Sequence, residues 1–317
     1  MNAINQAAFK KTKKSKKATF REWLPVYLMM LPGLVYLLIN NYMPMAGLVI
    51  AFKKINFTTG IFNSPWVGFD NFEFLFKTKD AFIITRNTLL YNFVFILVNT
   101  IMGITIAILI SEIRSKKAKT VYQSSVLLPF LMSYVIVSYI VFAFLSGDNG
   151  MMNHSILPAL GIEPVNWYSE TKYWPFILVL VNLWKGVGYG VLIYIAGIAG
   201  IDSSYYEAAS LDGASKLKQI RHVTLPALVP SIITITLLSI GRIFYSDFSL
   251  FYQVPMNSGL LYQTTQTIDT YVYRGLLTLG NVSMSSAAGF YQSCVGFLLV
   301  MLSNLIVKKV SPENALF

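Results

Sequence analysis

Residues 202–226 hold residue types and spacing that could present a docking surface to a partner. The stretch begins Asp202-Ser203-Ser204-Tyr205-Tyr206-Glu207-Ala208-Ala209-Ser210-Leu211-Asp212-Gly213-Ala214 and ends His222-Val223-Thr224-Leu225-Pro226. Ser204 and Glu207 have capping-box spacing, so a helix is expected to begin near Tyr205. Asp212-Gly213 then supplies a turn, because glycine accepts the positive φ that other residues resist. A second helical stretch is expected to end at Leu225-Pro226, where proline suits the first turn of a following helix. The product is a short helix, a sharp bend and a second helix. Ala208, Ala209 and Ser210 keep one face low, and Glu207 offers a carboxylate to a partner's cation. This chemistry is docking, not bond making. An ordinary capped loop packed on its own bundle would show the same spacing.

A second set of polar groups interrupts apolar runs. Lys185 lies among Asn182, Trp184, Gly186, Gly188 and Tyr189, and Arg242 lies near Tyr245 and Asp247. A central Lys or Arg in a membrane helix costs roughly 2.5–3.5 kcal/mol on the insertion scale, so such residues face a bundle interior or an aqueous cavity. Two readings of Lys185 stand side by side. It lines a pathway for a polar, ring-shaped solute, or it bonds helix carbonyls at an interface. Arg242 and Asp247 are five residues apart and would point to different faces of a helix, which argues against a simple pair. Asp247 suits either an outer gate or a solvated helix end. Asn182, Trp184, Lys185, Tyr189, Arg242, Tyr245 and Asp247 are the candidate translocation pathway.

Conventional catalysis finds little support. The one cysteine, Cys294, sits in an apolar stretch, and His154 and His222 fall in different loops. Neither a disulfide nor a zinc site is expected from them. Asp202, Glu207 and Asp212 belong to the segment above and have no histidine set beside them. No Gly-x-x-x-x-Gly-Lys-[Ser/Thr] occurs, nor any Gly-Lys pair. The usual phosphate cradle is therefore absent from this chain, and any ATP and Mg are expected on a partner.

The elements that must position these groups are membrane helices. Of 317 residues, 55% are hydrophobic and only 12% charged, against roughly 25% charged in an average soluble domain. Mean hydropathy is +0.57. Six spans are expected, near Leu24–Phe52, Ile84–Ile110, Val121–Leu145, Trp174–Ala199, Ala227–Leu250 and Ala287–Val307, each long enough for a bilayer core of roughly 30 Å. The domain plan is a basic tail over 1–23, a first span over 24–52 and an outer loop over 53–83. A core of five spans follows over 84–310, then a short tail over 311–317. With the N-terminus in the cytosol, sixteen of the 25 Lys and Arg fall inside and seven outside, as the positive-inside rule asks. The +11 charge is thus membrane topology, with no nucleic acid implied.

The segment around Glu207 resembles the EAA loop of permease subunits in binding-protein-dependent ABC importers. Glu207-Ala208-Ala209, Asp212-Gly213-Ala214 and Leu225-Pro226 carry the match, and Ile220 stands where many relatives have an aromatic residue. Asn41-Tyr42-Met43-Pro44-Met45, Ser64-Pro65-Trp66-Val67-Gly68-Phe69 and Gly150-Met151-Met152-Asn153-His154 extend it to oligosaccharide permeases of the lipoprotein or aldouronate type. The resemblance implies an all-α integral membrane protein of six transmembrane helices, with a short cytosolic coupling helix between the fourth and fifth. It implies a bacterial plasma-membrane location and transport of a carbohydrate. The implied partners are a second permease subunit, two cytosolic ATPase subunits and an extracellular solute-binding lipoprotein. An ion-coupled secondary transporter or channel is the rival, and would need more buried ionisable groups or an inverted repeat.

Overall fold

The computed structural model describes residues 16–278, 280–310, 312 and 315. The basic tail up to residue 15 and most of the short tail after 310 lie outside the described residues. The chain divides into two compact units, Met1–Val49 and Ile50–Phe317. Among the described residues the secondary structure is helical, apart from an isolated bridge between Lys53 and Trp66.

In the first unit, helix α1 (Lys16–Leu37) passes into a π turn at Leu38–Tyr42. The Met43 N–H reaches back to the Leu38 carbonyl, just before Pro44. Proline lacks an N–H and its ring displaces the carbonyl four residues back, so the preceding turn widens. The same device recurs twice in the second unit. Leu157 bonds Met152 before Pro158, and Leu225 bonds Ile220 before Pro226. Pro226 therefore lies inside a continuous helical run and does not open a new one.

The second unit is built on α2 (Lys79–Ser111), α3 (Lys116–Leu131), α4 (Tyr134–Leu145) and α5 (Trp174–Ala199). A short α6 (Ser203–Leu211) leads to α7 (Lys216–Ile240), then α8 (Phe248–Gln253), α9 (Ile268–Leu277) and α10 (Val282–Val310). Helices α2 and α5 form the principal packed pair, with α3 against α5. One core joins Tyr91, Phe95, Trp174, Leu178, Leu250 and Phe251. Another joins Ala107, Val187, Val191, Tyr194 and Leu228.

Five helices are long and apolar enough to cross a membrane, or six if the pair α3 and α4 counts as one span. That pair departs from the single span expected over Val121–Leu145, for it bends by 96°. Ser133 takes extended backbone and caps α4, its Oγ accepting from the Ile136 N–H, and α3 ends in a turn from Met132 to Pro129. The span expected over Ala227–Leu250 also stops early. Its helix ends at Ile240, and Gly241–Asp247 is non-helical.

The 146–174 connection is tied by one amide. Asn153 Nδ2 donates to the Gly147 and Val165 carbonyls, while Oδ1 accepts from Val165 N–H and Trp167 Nε1, all within 3.2 Å. Trp174 Nε1 then donates to the Trp167 carbonyl at 2.7 Å. A buried donor left unpaired costs about 1–3 kcal/mol. Asn153→Leu is accordingly expected to lower the thermal unfolding midpoint of the purified protein, and an unchanged midpoint would refute the tie.

Candidate functional site

Three elements enclose a cavity of about 620 Å³. From α2 it takes Asn92, Phe95, Ile96, Asn99 and Thr100, and from α5 Asn182, Gly186, Gly190 and Tyr194. These positions repeat every three to four residues, so each helix contributes one stripe. Residues 92–100 lie in the middle third of α2, at membrane depth if α2 spans the bilayer. The third wall is Ile235 and Ser239 of α7, Arg242, Tyr245, Ser246 and Asp247 of the unwound segment, and Phe248 of α8.

Asparagines organise the walls. Asn99 Nδ2 donates to Asn182 Oδ1 at 2.8 Å, joining α2 to α5. Asn99 Oδ1 is buried and has no donor among the described residues. Asn92 Nδ2 donates to the Ile243 and Tyr245 carbonyls at 2.8 and 3.0 Å. Unwound backbone at membrane depth is tolerated only where protein or a wet cavity satisfies it, and here side chains do so. Gln292 Nε2 of α10 donates to the Phe244 carbonyl at 2.7 Å. The Asp269 carboxylate of α9 accepts from both the N–H and the Oγ of Ser246 at 2.7 Å. The segment is thus held from three helices.

Of the pathway candidates, Asn182, Arg242, Tyr245 and Asp247 line this cavity, and Trp184, Lys185 and Tyr189 lie outside it. Lys185 is buried, its Nζ donating to the Phe130 carbonyl at 3.0 Å beneath the rings of Phe130 and Tyr134. That carbonyl belongs to the last turn of α3, so the lysine satisfies backbone exposed by the bend. Tyr189 stacks on Phe130 at 5.6 Å, and Trp184 is exposed. Asp247 caps α8 by accepting from the N–H groups of Ser249 and Leu250. Asn92, Asn99 and Ser239 were not singled out from sequence. A polar residue seven positions from another in an otherwise apolar helix was the available signal.

The second feature is α6. Its cap is Asp202, two residues before the expected Ser204, with Oδ1 accepting from the Ser204 N–H at 2.9 Å. That bond holds the Asp202 carboxyl below its ordinary pKa, so the cap is anionic at neutral pH. Asp212 closes the helix and Gly213 follows with φ +74. Ala214 N–H bonds the Ala209 carbonyl and Gly213 N–H that of Ser210, the paired bonds of a Schellman ending. Tyr206 OH meets Thr224 Oγ1 at 2.9 Å, and Gln219 Nε2 donates to Ser210 Oγ at 2.9 Å. Lys216 pairs with Glu112 at 3.0 Å, linking the end of α2 to the start of α7. Glu207, Ala208 and Leu211 share the opposite, exposed face with Ser204. Leu225 and Pro226 begin the regular part of α7 after its π turn. No group of three or more His, Cys, Asp or Glu that could hold a metal occurs among the described residues.

A polar cavity between membrane helices and a projecting, fully braced short helix define a translocation subunit that works through others. Residues 81–312 match the family described as the binding-protein-dependent transport system inner membrane component, and the chain belongs to that family. It is a multi-pass ABC-transporter permease and not an enzyme. Protein LplB of Bacillus subtilis (strain 168) is 35% identical over 293 residues, spanning 92% of this chain and 91% of LplB. The polygalacturonan/rhamnogalacturonan transport system permease protein YteP of the same organism is 34% identical over 315 residues, 98% of this chain and 97% of YteP. Among solved structures, a bacterial ABC transporter involved in import of the acidic polysaccharide alginate matches with TM-score 0.85 and 30% identity. That match covers 93% of this chain and 99% of the other.

Proposed function

We propose that this permease carries an oligosaccharide inward, driven by ATPase subunits that grip α6. The observation that carries the coupling half is the bare face of α6. Leu211 is 90% exposed and Leu217 is 76% exposed, and the Glu207 carboxylate has no partner among the described residues. Exposed apolar side chains rimmed by charge mark a protein contact. The surrounding Lys216, Lys218 and Arg221 support a cytosolic position for this face and for the N-terminus. Glu207, Ala208, Ala209, Asp212 and Gly213 then form the docking element, and Leu225 and Pro226 connect it to α7. Two ATPase subunits binding ATP and Mg, a second permease subunit and a lipid-anchored extracellular binding protein complete the assembly. We assign Lys185 to holding the α3–α4 bend, with Trp184 and Tyr189 beside it facing lipid or the second permease.

Cargo chemistry rests on the cavity. Amide groups that exchange hydrogen bonds with hydroxyls, together with aromatic rings, suit a sugar, and 620 Å³ is within the roughly 300–1,000 Å³ usual for ligand pockets. The names of YteP and of the alginate importer support the same class. Closure of the ATPase pair moves α6, provided α6 contacts two ATPase states differently. Its ties pass that motion to α7, and the pair of Lys216 with Glu112 joins α7 to the end of α2. Proteoliposomes holding the whole complex are expected to accumulate labelled oligosaccharide only with internal ATP and external binding protein. Accumulation by this chain alone along an ion gradient would favour a secondary transporter.

A further inference from the structure

We propose that Arg242 reads a carboxylate on the transported glycan, so that the cargo is an acidic, uronate-type oligosaccharide. This rests on the oligosaccharide reading above and deepens it. A guanidinium cannot discard its charge, and in an apolar span it persists only with a partner or water. Arg242 lines the cavity and is exposed there, yet no ion pair or hydrogen bond reaches its guanidinium from the described residues. A carboxylate lines the same cavity, but Asp247 is committed to the α8 N-terminus. The protein thus keeps a cavity-lining cation with no partner among the described residues.

The backbone around Arg242 is not loose. Asn92, Gln292 and Asp269 fix Ile243 to Ser246 from three helices. The backbone that carries Arg242 is therefore placed on folding, which lowers the ordering cost of a binding group there. Its planar fork matches the two oxygens of a carboxylate. Asn182 supplies an amide group on the facing wall for sugar hydroxyls. Tyr245 on the same segment as the arginine and Phe248 at the start of α8 offer aromatic rings.

The test measures ATP-driven uptake of an oligogalacturonate and of its carboxyl-reduced counterpart, in complexes carrying native chain, Arg242→Gln or Arg242→Lys. The binding protein is common to all three, so its own preference cancels in each variant-to-native ratio. Arg242→Gln is expected to lower uronate uptake about tenfold or more and to change uptake of the reduced glycan by less than about twofold, within measurement scatter on this scale. Equal losses for both glycans, or no loss for the uronate, would overturn the assignment. Where the native complex carries the uronate alone, Arg242→Lys decides. Partial recovery at a higher half-saturating concentration supports a charge contact, and a lysine as inactive as glutamine refutes it. Uptake of neither these nor neutral oligosaccharides by the native complex would defeat the oligosaccharide reading itself.

Discussion

Glu207→Lys is expected to abolish ATP-driven uptake while the chain still folds and inserts. The residue belongs to the exposed face of α6 and takes no part in the ties that hold the helix in place. Those ties run from Tyr206 to Thr224 and from Ser210 to Gln219. Lysine and glutamate have similar helix propensity, and exchanging one for the other near a helix N-terminus costs about 0.3–1 kcal/mol through the dipole. Folding should therefore tolerate the change. A docked carboxylate facing a partner cation differs in kind, because breaking a buried charge pair at an interface costs about 2–5 kcal/mol. At 1.4 kcal/mol per decade that is roughly a thirtyfold to several-thousandfold loss of affinity. The checks are capture of the ATPase by purified permease and uptake by reconstituted complex, both of which should fail. Full uptake by the variant would remove α6 from the coupling path.

How far the sequence foretold this depended on what each element answers to. Helix α5 coincides with the expected Trp174–Ala199, because a long, predominantly apolar run bounded by Pro175 and Gly200 leaves little choice. The Gly213 turn was equally legible, since a positive φ is a local demand that few residues meet. The two broken spans were not. Pro129 and Ser133 are the only marks of the α3–α4 bend in a run that hydropathy reads as continuous. Between Gly241 and Asp247, Ile243 and Phe244 look like membrane helix, and the helix-capping signal of Asp247 ahead of Ser249 and Leu250 was outweighed by them. Spacing along one helix could nominate Asn182, but its bond to Asn99 joins residues 83 apart in sequence. Periodicity tells which face a residue occupies, and tertiary packing alone tells what that face meets.

Close packing also supplies the other large effect, at Gly188. A Cβ built there would lie 2.4 Å from the Val126 carbonyl oxygen and 3.1 Å from the Leu127 Cα. Both are backbone atoms of α3, so no rotamer change relieves the clash. Small residues let membrane helices approach this closely, and Gly188→Ala must push α3 from α5. Overpacking of this kind costs about 1–3 kcal/mol. The displaced helix end would also carry the Phe130 carbonyl away from Lys185, leaving a buried ammonium unpaired and adding further cost. Gly188→Ala is thus expected to lower the yield of folded protein and its unfolding midpoint sharply. Gly186 is the internal control, two residues earlier on the same helix. Its Cβ would meet only Asn99 Oδ1, at 3.7 Å, an ordinary contact on the cavity wall. Gly186→Ala should fold normally and narrow the cavity. If thermal unfolding of the two variants were indistinguishable, the contact of α5 with the α3 backbone would not be what holds the bent pair in place.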